Sequence, residues 1–502
     1  MKFLISVFIL LVVLDFLLQW AFNIHLLRFL GKYTPYFLKG LWYIIKSIFK
    51  FIYWIFKSIF SALLSLGDEE IHSASFLENS DSDRHKLLNK SNSGLILEKN
   101  GRLSESISMQ HTLILAPSGG GKTVSYIIPN VLTLDNASIS VTDPSGEIFE
   151  LTAKVKEKQG FKIKLFDLTD VSRSLKFNPL QRIESFSDIA KISSILIDSA
   201  FPDSNGSSVF WNDSAKLIIS ISLRMLKAQY GSSANLSMLY NHLNWFNTDK
   251  QEDLDILFST NLDESSFQEY KAFMSQDMKV LSSVLSTAKS ALSKLSDPDI
   301  AEITSSDTLN FEELRSTKCI LYTIVNEVDI NFHSFLITLL NTQLFNFTML
   351  ESRHFDTYLP IYILLDEFAN TDKIPSFSTL ITTLRKRKVS LSLVIQDYQQ
   401  IYNLYGKMDG DTIISNANSK VYFAGLSLQT VRDIELSLGK VRRKIIDPNG
   451  YEKEEIQPLL HLDQIRMLPD DNAILLSKNS PPVILTLTPF FKNRKFKKML
   501  NI

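Results

Sequence analysis

"HTLILAPSGGGKTVSYIIPN", residues 111–130, is the stretch on which the fold turns. Thr112 to Leu115 has the length and apolar content of a short buried strand. Thr123 to Ile128 reads as the start of a helix that ends near Pro129. Between them stand Gly119, Gly120 and Gly121, followed by Lys122 and Thr123. Strand, glycine-rich turn and helix in that order form the setting in which backbone N–H groups and a helix N-terminus cradle phosphate. Ala116, Pro117, Ser118, Gly119, Gly120, Gly121, Lys122 and Thr123 match the phosphate-loop pattern, with Ala116 in the place of its first glycine. The glycines let the backbone approach phosphate oxygens with no Cβ in the way. Lys122 is then the group for the β- and γ-phosphates of ATP, and the Thr123 hydroxyl a ligand of Mg²⁺. The bland alternative is a plain glycine-rich turn.

A phosphate loop needs an acidic partner, and "YLPIYILLDEFAN", residues 358–370, supplies one. An apolar strand leads into Asp366 and Glu367. Asp366 suits the Mg²⁺ side of the site, and Glu367 the residue that orients or deprotonates the attacking water. Two helix-capping acids are the competing view. In "VSLSLVIQDYQQ", 389–400, a second buried strand ends at Gln396, where a polar side chain can sense the γ-phosphate or the water; a simple polar strand end is the alternative. Arg385 and Arg387 lie just before that strand. Either fits an arginine finger acting across a subunit boundary, or a solvated basic turn, which suits Arg387 better.

Working outward, apolar runs that read as buried strands recur at 112–115, 138–142, 162–166, 319–325, 360–365, 389–395 and 420–424, with helical stretches between several of them. That alternation predicts a largely parallel α/β sheet covered on both faces. Between about 185 and 310 the strands stop and apolar residues recur at helical spacing, as in "WNDSAKLIISISLRMLKAQYG". An inserted all-α domain explains why 244 residues separate Lys122 from Asp366. The expected organisation is a membrane anchor over 1–66, a polar linker over 67–93, a nucleotide core over 94–184 and 311–491, the insertion over 185–310, and a basic tail over 492–502.

Net charge is −1, so the chain has no global polybasic signature and nucleic-acid contacts must come from local patches. A single cysteine, Cys319, excludes an intrachain disulfide, and eight scattered histidines give no zinc spacing. Residues 3–22 carry one charge, Asp15, and are long enough to cross a bilayer; no small-residue cleavage site follows, which argues against a signal peptide. In 36–64, Lys39, Lys46, Lys50 and Lys57 are spaced 7, 4 and 7 apart. At about 100° per residue they share one narrow stripe on an aromatic helix. Such a helix either lies in the headgroup layer or spans with Asp15 as a partner for the inner lysines, so the number of spans stays open.

The chain resembles the type IV coupling proteins, the membrane-anchored ATPases of bacterial conjugation and type IV secretion. The resemblance runs in order through "APSGGGKT" with "IIPNVL", "VTDPSGEIFELTA" (141–153), "FNPL" (177–180), "FWNDSAKLII" (210–219), "LLDEFANTDKIP" (364–375), "VIQDYQQI" (394–401) and "PLLHLDQIRMLP" (458–469). It implies a RecA-like P-loop NTPase domain interrupted by an all-α domain, N-terminal membrane helices in the plasma membrane, a cytoplasmic ATPase body and a homo-hexameric ring. It implies ATP and Mg²⁺ as cofactors, and as partners single-stranded DNA with a relaxase, secretion-channel proteins and the lipid membrane. The implied site residues are Lys122, Thr123, Asp366, Glu367, Arg385 and Gln396. Ser145 departs from the family pattern, where a basic residue is common, and no long acidic C-terminal tail is present. A receptor for protein substrates only, or a double-stranded DNA pump, are the competing functions. Candidate DNA-facing clusters are Lys386 to Lys388, Arg442 to Lys444 and Lys495 to Lys498, each of which reads equally as a solvated face.

Overall fold

The computed structural model describes residues 13, 16, 19–20, 74–78, 81–90, 93–202, 206–350, 358–446 and 452–502. It divides into two compact units, Met1–Ser73 and Ala74–Ile502. Of the first, only Val13, Phe16, Gln19 and Trp20 are described, all helical. The expected in-plane or spanning segment at 36–64 lies outside the described residues. Among the described residues, no helix is long and apolar enough to cross a membrane.

The second unit is built on a nine-stranded sheet. Its strands in chain order are β1 (Thr112–Leu115), β2 (Ser138–Asp143), β3 (Lys162–Asp167), β4 (Cys319–Ile324), β5 (Ile361–Leu365), β6 (Val389–Ile395), β7 (Ser419–Phe423), β8 (Asn472–Ser477) and β9 (Val483–Thr486). Their order across the sheet is β9-β8-β7-β1-β6-β5-β2-β4-β3. The seven strands from β7 to β3 run parallel. Buried on both faces, β1, β2, β4, β5 and β6 have no exposed position, and most of the polar residues they carry, such as Ser140, Ser390 and Ser392, are small and buried. β8 and β9 add an antiparallel edge that the sequence reading did not include. "NAILLSKNSPPVILT" carries the hairpin signal for it, two apolar runs split by a Ser-Pro-rich turn.

Alternate residues of each strand feed two cores. On one face Ile114, Val141, Tyr322, Leu364 and Val394 pack with α1 (Ile128–Thr133) and α2 (Glu147–Lys158). On the other, Leu115, Phe166, Leu321, Leu365 and Leu393 share a core with α3 (Ile330–Leu350), α4 (Phe377–Leu384) and α5 (Tyr398–Asn416, interrupted at Gly406). The strand order matches this division: β1 to β2 to β3 steps one way across the sheet, and β4 to β5 to β6 to β7 the other, as the right-handed rule for parallel crossovers requires.

Among the described residues, seven α-helices run between β3 and β4 from Phe186–Ala200 to Pro298–Ile303, around the 24-residue helix Ser207–Tyr230, and a one-turn helix, Glu313–Ser316, leads into β4. Local chemistry starts several of them: Ser185 and Asp188 form a capping box, and Asn235, Asp263 and Asp297 accept from the first-turn amides. The way in and the way out are stitched together, Phe177 N–H to Ile303 O at 2.8 Å and Thr308 N–H to Lys176 O at 2.9 Å. Asn178 Nδ2 clamps the neck by donating to Ala234 O at 2.7 Å. Residues Ile218, Leu239, Phe258 and Leu285 of these helices belong to the same continuous core as Leu365 and Leu393 of the sheet.

Three local expectations are corrected. The helix after the phosphate loop does not end at Pro129. A five-residue π turn, Thr123–Ile127, carries an Ile128 N–H to Thr123 O bond and leads into α1, whose second residue is Pro129. There the missing N–H is tolerated. The polar stretch before residue 93 is not a linker throughout. Arg84, 6% exposed, bonds Glu98 Oε2 at 3.0 Å and Ile484 O, and Leu87 and Leu88 are buried. The basic tail is a helix, Arg494–Leu500, held by buried Phe496. Both segments have one apolar or paired face that charge counts conceal.

Candidate functional site

The phosphate-loop residues follow β1 directly, and Ala116 N–H donates to Ile395 O of the neighbouring β6 at 3.0 Å. The turn needs left-handed backbone at Gly119 (φ 72°) and Gly121 (φ 77°), and a Cβ at Gly119 would meet nothing within 4 Å. The result is a concave backbone whose next residues open a helix, Ser125 N–H to Gly121 O at 2.9 Å.

β5 delivers the acids to the same place. Thr123 Oγ1 donates to Asp366 Oδ2 at 2.8 Å. Lys122 Nζ lies 2.5 Å from Glu367 Oε1 and 3.6 Å from Asp366 Oδ1. Asp366 is 5% exposed and its Oδ1 has no hydrogen-bond partner. Burial pushes its carboxyl above the ordinary range, while the Lys122 ammonium and the Thr123 hydroxyl pull it back. Glu367 has φ 59°, a left-handed conformation that a glutamate adopts only under constraint. The backbone there is pinned on its other side by Thr142 Oγ1, which donates to Asp366 O at 3.1 Å.

Gln396 directly follows β6, between the strands that carry the loop and the acids, and its N–H donates to Gln400 Oε1 at 2.7 Å. Asp397 then caps α5 through Gln399 N–H. Arg385 is not brought to this group. It is exposed, in the turn Arg385–Arg387 at the opposite end of β6, beside His111. At about 3.3 Å per residue, β6 sets it roughly 20 Å from the phosphate loop of its own chain. Arg387 is half-buried and its carbonyl accepts from Arg315 Nη2 at 2.8 Å.

Of the basic clusters, Arg442 to Lys444 lies on a strand, Lys440–Ile446, paired antiparallel with the acidic Glu452–Pro458. Arg442 bonds Glu454 at 3.1 Å, which offsets part of that charge. Lys495, Lys497 and Lys498 point outward on the C-terminal helix. The sequence reading left out Asp143, the buried end of β2, although an acid closing an apolar strand before a Pro-Ser-Gly turn was a visible signal.

The donor set fits a nucleotide with a divalent cation: open left-handed glycines, one ammonium, one hydroxyl, and a buried carboxylate oxygen with no hydrogen-bond donor.

Residues 66–502 match the family described as type IV secretory system conjugative DNA transfer. Protein VirD4 of Rhizobium radiobacter is 24% identical over 407 residues, covering 78% of this chain and 58% of VirD4. The conjugal transfer protein TraG of Escherichia coli is 27% identical over 223 residues, 41% of this chain and 34% of TraG. The chain thus spans well under two thirds of the length of these relatives. Among solved structures, the plasmid coupling protein TrwB in complex with ADP and Mg²⁺ superposes with a TM-score of 0.66 at 16% identity, covering 83% of this chain and 94% of TrwB. Unbound TrwB lacking its first 70 residues gives 0.65 over 83% of this chain and 93% of that one. These likenesses concern the fold.

Proposed function

The chain belongs to the type IV secretory system conjugative DNA transfer family, as a type IV coupling protein, and from that premise we propose that it is a membrane-anchored ATPase. In this reading it brings relaxase-bound single-stranded DNA to a type IV secretion channel and drives its transfer by ATP hydrolysis. The observation that carries the catalytic part is the meeting of Thr123 with Asp366 and of Lys122 with Glu367.

The residues divide the work. The Gly119–Gly121 backbone and Lys122 bind the phosphates, and Thr123 with Asp366 holds the cation. Mg²⁺, when bound, neutralises charge on the β- and γ-phosphate oxygens. Lys122 serves two anions: a triphosphate competes with Glu367 for its ammonium, which releases the Glu367 carboxylate to orient a water and accept its proton. Gln396 senses the γ-phosphate from the end of β6. Arg385, remote within its own chain, serves the site of a neighbouring subunit in a homo-hexameric ring. The apolar segment 3–22 anchors the chain in the plasma membrane with the ATPase body in the cytoplasm. Basic groups around Lys386 and Lys495 contact the DNA backbone.

The test is hydrolysis and binding by the purified full-length chain in detergent. Mg²⁺-dependent ATP hydrolysis, with single-strand affinity that falls steeply with salt, is the expected result. Absence of hydrolysis overturns the ATPase assignment. Hydrolysis without single-strand binding at any ionic strength overturns the DNA assignment alone and leaves a receptor for protein substrates.

A further inference from the structure

The strand beside the one that carries Asp366 ends in a carboxylate with no role in the chemistry above. Asp143 closes β2 and is fully buried. β2 and β5 are parallel neighbours with Val141 opposite Leu364, so carrying the register two residues on sets Asp143 level with Asp366. Val141 and Leu364 both feed the core under α1 and α2. Alternation along the strands therefore brings Asp143 and Asp366 out on that same face, where Thr123 opens its helix. The Thr142 Oγ1 to Asp366 O bond ties the two strand ends together.

One oxygen of Asp143 is accounted for: Oδ2 accepts from Phe149 N–H, in the first turn of α2, at 2.8 Å, and the backbone amides of Ser145, Gly146 and Ile148 also favour the charged carboxylate. Its Oδ1 is buried with no hydrogen-bond partner, as is Asp366 Oδ1. Capping a helix needs only one acceptor, which an asparagine or serine supplies without charge. A buried carboxylate is costly unless something cationic or hydrogen-bonding faces its second oxygen. Asp143 Oδ1, with no hydrogen-bond partner, and Asp366 Oδ1, facing the Lys122 ammonium at 3.6 Å, stand at one level of a parallel sheet beside a threonine hydroxyl, an oxygen-donor array suited to a hydrated divalent cation.

We propose that Asp143 is a positioning residue of the nucleotide site, whose second oxygen orders water around the Mg²⁺ that Thr123 and Asp366 hold. The inference rests on the Mg²⁺-nucleotide reading of the site given above.

The experiment measures fluorescent ADP binding to the purified full-length chain as Mg²⁺ is titrated, and again in EDTA. Asp143→Asn keeps the acceptor for Phe149 N–H and removes the charge. The Mg²⁺ concentration giving half-maximal binding should rise about tenfold. Affinity in EDTA should not fall, and the thermal midpoint should stay near that of the wild type. A purely structural cap would weaken binding equally with and without Mg²⁺. That outcome, or an unchanged Mg²⁺ requirement in the Asn chain, overturns the role of Asp143 while wild-type Mg²⁺ dependence keeps the site reading intact. Wild-type ADP binding that ignores Mg²⁺ overturns the site reading and this inference with it. Asp143→Ser, which also caps, repeats the measurement if the Asn chain does not fold.

Discussion

Lys122 Nζ and Glu367 Oε1 lie 2.5 Å apart across 245 residues of sequence. The ammonium that the proposed reading gives to phosphate and the carboxylate it gives to the attacking water therefore hold each other. Glu367→Gln replaces a charged partner by a neutral one, so the lysine becomes easier for phosphate to capture. This variant should bind ATP at least as tightly as the wild type while turnover falls by about two orders of magnitude or more. Lys122→Ala should lose both binding and turnover. Equilibrium binding of a fluorescent ATP analogue beside a phosphate-release assay separates the two, and a Gln chain that binds more weakly than the wild type refutes the competition.

Arg385 stands at the far end of β6 from the loop, so any catalytic part it has is played on a neighbour's nucleotide. Arg385→Ala and Asp366→Ala chains should each be inactive alone. Mixed, they should regain partial turnover, because an intact phosphate loop from the first can meet an intact arginine from the second. Mixed assemblies that stay inactive, although cross-linking shows that the two chains have combined, exclude the trans role.

Much of this was legible in the sequence where burial is two-sided. Thr112–Leu115 and Val389–Ile395 match the structure residue for residue, because both strands are buried along their whole length and polar or turn-forming residues flank them. That the loop residues and Asp366 serve one site was expected from motif chemistry, although Asp143 and Asp167 also close strands. Less was legible where meaning depends on what lies across the sheet. Asp143 is visible as a strand-end acid, but its nearness to Asp366 appears only once β2 is known to adjoin β5, and the remoteness of Arg385 only with the direction of β6. Pro129 misled because a π turn, which has no simple composition signal, opens the ladder ahead of it. Phe496 was hidden among lysines that count as charge but leave one apolar face on a short helix.

The C-terminal helix gives a local prediction. Phe496 is buried, while Lys495, Lys497 and Lys498 are exposed. Phe496→Ala removes the main anchor of a seven-residue terminal helix. The loss should appear as detachment of the end and not as global unfolding. Hydrogen exchange over 490–502 should rise at least tenfold with the thermal midpoint little changed. Replacing Lys495, Lys497 and Lys498 together by Gln should leave that exchange unaltered, which tells anchoring apart from charge.

His111 sets a pH dependence whose sign can be worked out. It is buried at the start of β1 with φ 63°. Its Nδ1 accepts from Leu391 N–H at 3.1 Å, so Nε2 carries the proton and donates to Ile381 O at 2.9 Å. Burial lowers its pKa from 6.5 to about 4, with Arg385 adding to the effect and the Ile381 carbonyl opposing it. Between these values the unfolded chain binds a proton that the folded chain refuses. Stability from this residue is therefore complete above about pH 6.5 and lost as pH falls toward 4, on the order of 3 kcal/mol across the window. Asparagine tolerates left-handed backbone, so His111→Asn should fold, with lower stability at pH 7 for want of two hydrogen bonds. Thermal midpoints of both chains, taken from pH 7 down to 4, should converge as the wild type loses what the variant never had. Parallel curves through that range would mean that His111 is protonated as readily in the folded chain as in the unfolded one, and that the two backbone bonds do not fix its neutral form.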